Sequence, residues 1–211
     1  MGMILVGVGL IGIVALLVYA VTQTGNSDTG PTDAQLAELD SDPGIPGVFS
    51  PSHPGADGLA GTGDDRVHFA PRTVIPFCSQ DQIDAGTVSD PLCYTSNPPT
   101  SGPHSSTPQG FTNLTNEAPK ENIIHSMEHG GVFVWYNTTD EDAIDLIQSV
   151  VSDNGDRRRF VGSTVYTKME EETIAITSWT RLDKFPVSEL TRERLQEFID
   201  VNHKRFNPEG F

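Results

Sequence analysis

Basic side chains are scarce in this sequence. It has 13 lysines and arginines against 29 aspartates and glutamates, a formal net charge of −16 over 211 residues. A surface this acidic repels a phosphate backbone, and the single basic cluster, RRRF at 157–160, lies in an aspartate-rich loop. The charge balance therefore argues against nucleic-acid binding.

Cysteine is nearly absent as well, with only Cys78 and Cys93. A zinc knuckle needs two close pairs of ligands, so this widely spaced pair does not predict one. An even pair in a loop-rich region instead predicts a disulfide bond between Cys78 and Cys93. Such a bond indicates an oxidising compartment.

Recognisable catalytic motifs are also missing. There is no G-x-S-x-G elbow, no S-x-x-K run, no P-loop and no dinucleotide fingerprint. Ser101 and Ser126 lie near histidines along the chain, but neither is in a nucleophile motif. The sequence therefore favours a protein that is not an enzyme, and no catalytic residue is assigned.

The longest uncharged run is at the start of the sequence. Residues 3–21, MILVGVGLIGIVALLVYAV, contain no charge, and nineteen residues can cross a hydrocarbon core of about 30 Å. The run lacks a basic n-region and a clean cleavage site, so it predicts a membrane anchor rather than a cleaved signal peptide. We therefore expect an anchor at 1–22, a polar tether at 23–69 and a domain at 70–211. The predicted disulfide places the bulk of this single-pass protein on the extracytoplasmic side of the cell membrane.

One part of the tether is rich in aspartate and glycine. The stretch HPGADGLAGTGDDRVHF, residues 53–69, offers the carboxylates of Asp57, Asp64 and Asp65. Calcium binds six to eight oxygen atoms, and glycine lets backbone carbonyls join the carboxylates. The stretch lacks the spacing of a helix-loop-helix calcium loop, so a solvated hairpin turn remains the alternative.

The regular secondary structure begins near residue 130. GVFVWYN predicts a buried strand, and TTDEDAIDLIQSVVSDNG predicts an amphipathic helix. RFVGSTVYT and TIAITSWT predict two further strands, followed by a helix in PVSELTRERLQEFIDVNHKRFNP. This order predicts an α+β fold, with a small antiparallel sheet and two helices packed on one face. The proline- and serine-rich residues 70–120 predict a long irregular N-terminal wrap.

Three of the six histidines lie in two turn-rich stretches. His125 and His129 are four residues apart, which puts both rings on one face of a helix, and His104 follows a Ser-Gly-Pro turn. Three imidazoles with Glu128 or Met127 as a further ligand suit copper or zinc. Methionine beside histidine favours copper, because a thioether is a soft ligand. Alternatively, these histidines hydrogen-bond buried turns, with Glu128 as a partner.

Four segments of the sequence carry a family resemblance. YTSNPPTSGPH at 94–104, IIHSMEHGGVFVWY at 123–136, ITSWTRLDKF at 176–185 and the closing FIDVNHKRFNPEGF resemble the uncharacterised domain-of-unknown-function family 3105. The resemblance covers about residues 75–211. The family pattern falls on Pro98, Pro99, Ser101, Gly102, His104, His125, Glu128, His129 and Gly130.

The resemblance implies a membrane segment or signal followed by one extracytoplasmic domain, and it implies no activity. Leucine is common in the family where Met127 stands, which weakens Met127 as a ligand. Two hypotheses follow. The first is a membrane-anchored domain that binds copper or zinc through His104, His125, His129 and Glu128. The second is a non-catalytic accessory subunit that contacts other integral membrane subunits, with the histidines in a structural role.

Overall fold

A computed structural model describes residues 44–52, 66–85 and 93–205 of the chain. The predicted anchor at 3–21 and the predicted calcium ligands Asp57, Asp64 and Asp65 lie outside these residues. In the described ranges, no helix is both long and apolar enough to cross a membrane.

The described residues form eight short strands and four α-helices. The strands are β1 Val48–Phe49, β2 His68–Phe69, β3 His104–Ser105, β4 Asn113–Leu114, β5 Val132–Asn137, β6 Val161–Val165, β7 Thr173–Ser178 and β8 Arg181–Pro186. The helices are α1 Gln80–Ala85, α2 Lys120–Glu128, α3 Glu141–Asp156 and α4 Arg192–Asn202.

Six of the strands form one sheet in the order β1-β8-β7-β5-β6-β4. Strands β1, β8, β7 and β5 pair antiparallel, whereas β6 runs parallel to both β5 and β4. The predicted α+β class is confirmed, but the prediction of an antiparallel sheet is wrong. Helix α3 connects β5 to β6, and this crossover returns the chain in the same direction, which makes the pair parallel.

Strand β5 is buried on both faces because a core of apolar residues packs against each face. On one face, Val132 and Val134 share a core with apolar residues of α3 and α4. On the other face, Phe133 and Trp135 share a second core with Ile123, Ile124 and Met127 of α2. The two long helices thus lie on one face of the sheet, and α2 holds the opposite face.

Side chains at the first turns define where the long helices begin. The Asp140 carboxylate accepts from the backbone N–H groups of Asp142 and Ala143 at the start of α3. The Thr191 hydroxyl accepts from the Arg194 N–H at the start of α4. Each cap satisfies backbone donors that have no partner within the helix.

Two segments of the predicted tether pair with the domain. Strand β1 pairs antiparallel with β8, and β2 pairs parallel with β3 in a separate two-stranded sheet. The predicted disulfide is confirmed, with the sulfur atoms of Cys78 and Cys93 bonded at 2.01 Å. Next to this bond, backbone hydrogen bonds join Pro76 and Cys78 to Tyr94, which holds this part of the N-terminal wrap together.

His203, just after α4, makes the stability of the fold sensitive to acid. Its Nε2 accepts from the Phe160 N–H at 3.0 Å. Burial, together with the charges of Arg159 and Lys204, lowers the pKa of His203 below its usual 6.5. The unfolded chain therefore takes up this proton at a higher pH than the folded chain. The stability that His203 contributes is present above about pH 6.5 and is lost as the pH falls towards the folded-state pKa.

The His203→Gln variant tests this expectation, because glutamine can accept the same hydrogen bond and does not titrate. Urea unfolding at about pH 7.5 and about pH 5 gives the loss of stability on acidification for each protein. We expect a smaller loss for the variant than for the wild type. An equal loss would contradict the role given to His203.

Candidate metal centre

The two-stranded sheet places His68 beside His104. The register pairs His68 with His104 directly, so both side chains leave the same face. The His104 N–H donates to the Val67 carbonyl at 3.0 Å, and the Ser106 N–H donates to the Phe69 carbonyl at 2.8 Å. The two imidazole centroids are 4.5 Å apart.

Helix α2 supplies His125 and Glu128 to the same place. These residues are three apart, so their side chains lie on one face of the helix. The opposite face, with Ile123 and Met127, packs into the core. The ring of His125 lies 4.9 Å from that of His68 and 5.2 Å from that of His104.

Hydrogen bonds to the backbone determine which ring nitrogen can bind a ligand. Nδ1 of His104 is 2.7 Å from the Gly102 carbonyl oxygen, and Nδ1 of His125 is 2.7 Å from the Ser105 carbonyl oxygen. A carbonyl oxygen only accepts, so Nδ1 carries the proton in both rings. In each neutral ring, Nε2 then keeps a lone pair. Metal-binding histidines are commonly oriented in this way.

Glu128 adds a buried carboxylate. Its Oε2 lies 2.9 Å from His104 Nε2 and 3.6 Å from His68 Nε2, and its side chain is 2% exposed. Burial raises the pKa of Glu128, but the contact with His104 and the charges of His68 and Arg66 outweigh it, so the pKa is lowered. When His104 is neutral, Oε2 and Nε2 are both acceptors and no hydrogen bond joins them. Two acceptors this close repel each other unless a proton or a metal ion lies between them.

The donor atoms lie close enough together to hold a metal ion. One ring nitrogen each from His68, His104 and His125 lies within 4.8 Å of the other two. A tetrahedral ion with bonds of about 2.0–2.1 Å places its donors about 3.3–3.4 Å apart. The distances of 2.9 and 3.6 Å from Glu128 to His104 and His68 bracket that spacing. These four side chains are called the histidine cluster below.

The predicted ligands His104, His125 and Glu128 thus lie together, His129 lies beside His125 but outside the group of three ring nitrogens, and Met127 lies in the core. His129 follows the last residue of α2, and its ring is tilted by 41° against that of His125, with centroids 4.8 Å apart. Met127 is fully buried, and its sulfur accepts from the Thr177 hydroxyl at 3.1 Å. Sequence reasoning missed His68. The only signal that could have found it was a histidine in a short strand-like RVHF stretch.

The histidine cluster has one side open to solvent. The side chain of His68 is 38% exposed, whereas those of His104 and Glu128 are 0% and 2% exposed. Burial lowers the pKa of His125, although its bond to Ser105 acts in the opposite direction; the neighbouring histidines lower it further. The environment of His125 therefore favours its neutral form, which is the form that binds a metal.

Comparison with known proteins gives one match. A family model described as "Protein of unknown function (DUF3105)" matches residues 87–210. No curated protein and no solved structure matches the chain. The matched span includes His104, His125 and Glu128, whereas His68 precedes it.

Proposed function

The chain belongs to the DUF3105 family of proteins of unknown function, and we propose that it binds one transition-metal ion through the histidine cluster. The single observation that carries this proposal is the contact between Glu128 Oε2 and His104 Nε2. Both atoms are buried acceptors when His104 is neutral. His125, like His104, donates its Nδ1 proton to a backbone carbonyl, so its Nε2 also keeps a lone pair. A cation between them would remove their repulsion and use the lone pair.

The donor set indicates a divalent ion. Three imidazoles and a carboxylate suit Cu²⁺ or Zn²⁺, whereas Cu⁺ prefers thiolate and thioether ligands. Met127 was the reason to favour a soft ion, and its sulfur is occupied in the core. Copper nevertheless remains the favoured metal, because Cu²⁺ binds nitrogen and oxygen donors more tightly than Zn²⁺ does. We therefore propose Cu²⁺ first and Zn²⁺ second.

The proposed setting is the extracytoplasmic face of a membrane. The disulfide between Cys78 and Cys93 supports an oxidising compartment, and the uncharged segment 3–21 supports attachment to the membrane. A site with the partly exposed ligand His68 can exchange its ion with solvent or with another protein. We propose that the domain stores, delivers or senses the metal.

Metal content tests the proposal. The full chain, purified in mild detergent, is loaded with Cu²⁺ or Zn²⁺, freed of excess ion and analysed by mass spectrometry. We expect about one ion per chain for the wild type and near zero for the His104→Ala/His125→Ala double variant. His203→Ala is the matched control, since this histidine lies outside the cluster, and it should retain one ion. A wild-type content near zero with both metals would refute the proposal.

The Glu128→Gln variant separates a ligand from a structural partner. Glutamine keeps the shape of the side chain, and its amide N–H can donate to His104 Nε2. We expect affinity for Zn²⁺ to fall by at least about 100-fold, because even outer-shell partners of metal ligands cost about 10- to 100-fold when they are lost. The metal-free variant should be at least as stable as the wild type, because the two acceptors no longer repel. Calorimetric titration and thermal unfolding measure the two quantities. Unchanged affinity with lower stability would indicate a purely structural Glu128.

A further inference from the structure

The disulfide and the histidine cluster lie on the same stretch of chain. His68 precedes Cys78 by ten residues, and His104 follows Cys93 by eleven. We propose that the Cys78–Cys93 bond positions the metal ligands, so that the site reaches full affinity only in the oxidised chain. This inference rests on the proposed function and adds a redox requirement to it.

Tyr94 connects the disulfide to the turn that precedes His104. The Cys78 N–H donates to the Tyr94 carbonyl and the Tyr94 N–H to the Pro76 carbonyl, both at 2.9 Å. The phenol of Tyr94, which is 1% exposed, donates to the Pro103 carbonyl at 2.6 Å. Pro103 directly precedes His104. A short path of covalent and hydrogen bonds therefore runs from the disulfide to a buried ligand.

The turn before His104 depends on this support. Gly102 has a φ of +114°, and its carbonyl accepts from His104 Nδ1. A Cβ at this position would lie 3.5 Å from the Tyr94 ring, so the ring packs directly against the turn. The ring and hydroxyl of Tyr94 thus hold both residues that precede His104. Without the disulfide, the backbone pairing that places Tyr94 loses its covalent closure.

The consequence for affinity follows from chain entropy. His68 and His104 are brought together by two strands of two residues each, which is a weak pairing by itself. The disulfide shortens the chain between them, which reduces the disorder that the metal must otherwise remove on binding. Reduction by a dithiol would break the S–S bond, form two cysteine thiols and convert the dithiol to its own disulfide. Metal binding would then have to order the loop.

A variant series tests the proposal on the full chain in mild detergent, with Zn²⁺ alone as the probe. Cys78→Ser/Cys93→Ser removes the bond without leaving a thiol that could bind the metal. Competition with a chromophoric chelator gives each dissociation constant. We expect the double variant to bind Zn²⁺ about tenfold more weakly than the oxidised wild type. Tyr94→Phe, which keeps the ring and the disulfide, should weaken binding by about threefold.

Two comparisons distinguish positioning from general destabilisation. Val150→Ala leaves a cavity in the core on the opposite face of the sheet and should lower thermal stability without changing the dissociation constant. Tyr94→Phe should also have less effect in the serine double variant than in the wild type, because both changes act on one path.

Four results would contradict the proposed role of the disulfide or the proposed function. Equal affinity of the serine double variant and the wild type, within twofold, would overturn the proposal. If the double variant fails to fold, unchanged affinity of Tyr94→Phe would overturn it. A tenfold loss in Val150→Ala would do the same, since any destabilisation would then suffice. An oxidised wild type that binds no Zn²⁺ would refute the proposed function itself.

Discussion

The His104→Ala variant is expected to bind Cu²⁺ and Zn²⁺ at least about 100-fold more weakly than the wild type. Loss of a residue that merely supports a ligand costs about 10- to 100-fold, so loss of a ligand should cost at least the upper value. His104 has 0% exposure and makes the shortest contact with Glu128. Its removal also leaves that carboxylate without its nearest imidazole. Calorimetric titration of the full chain measures the change.

His203→Ala and His129→Ala are the controls for this result. His203 lies outside the cluster, so its loss should leave affinity within about twofold. The ring of His129 contacts that of His125 without belonging to the group of three nitrogens, so its loss should cost much less than that of His104. Equal losses for His129 and His104 would contradict the ligand set, and would favour the combination predicted from spacing in the sequence. Affinity unaffected by His104→Ala would exclude His104 as a ligand.

The Trp135→Ala variant is expected to destabilise the fold by about 3–5 kcal/mol, the usual cost of removing a buried tryptophan. Trp135 is fully buried, and its Nε1 donates to the Thr177 hydroxyl at 2.6 Å. That hydroxyl in turn donates to the sulfur of Met127, so two hydrogen bonds through Thr177 join β5, β7 and α2. For a domain of this size the loss lowers Tm by about 6–20 °C. Thermal unfolding measures it.

Trp135→Phe is the matched variant, because it keeps most of the ring volume and loses only the indole N–H. We expect it to cost about 1–2 kcal/mol, which is the value of one buried hydrogen bond with slight loss of packing. Helix α2 carries two of the four proposed ligands, so Trp135→Ala should also weaken metal binding. A Tm within about 2 °C of the wild type for Trp135→Ala would contradict the packing described.

Features set by local chemistry could be predicted from the sequence. Two lone cysteines in a loop-rich stretch sufficed for the disulfide. The alternation of strand and helix patterns sufficed for the α+β class. The direction of the strands in the sheet could not be predicted, since a fully apolar strand such as VFVWY has the same pattern in parallel and antiparallel pairs. The parallel pairing depends on where α3 returns the chain.

The proposed ligands show the same limit. His125 and Glu128 share a helix face, and this spacing could be seen in the sequence. Met127 is two residues after His125, about 200° around the helix, so it faces the core. The pairing of His68 with His104 could not be predicted, because a two-residue strand has no periodicity and the two residues lie far apart along the chain. Only the folded arrangement brings those two imidazoles together.

X-ray absorption on the full chain, loaded with one equivalent of Cu²⁺ or Zn²⁺, tests the central claim most directly. The spectrum reports the type, number and distance of the atoms bound to the ion. The histidine cluster predicts three imidazole nitrogens and one carboxylate oxygen, with bonds of about 2.0–2.1 Å for zinc. An ion bound by oxygen atoms alone, or no bound ion, would contradict it.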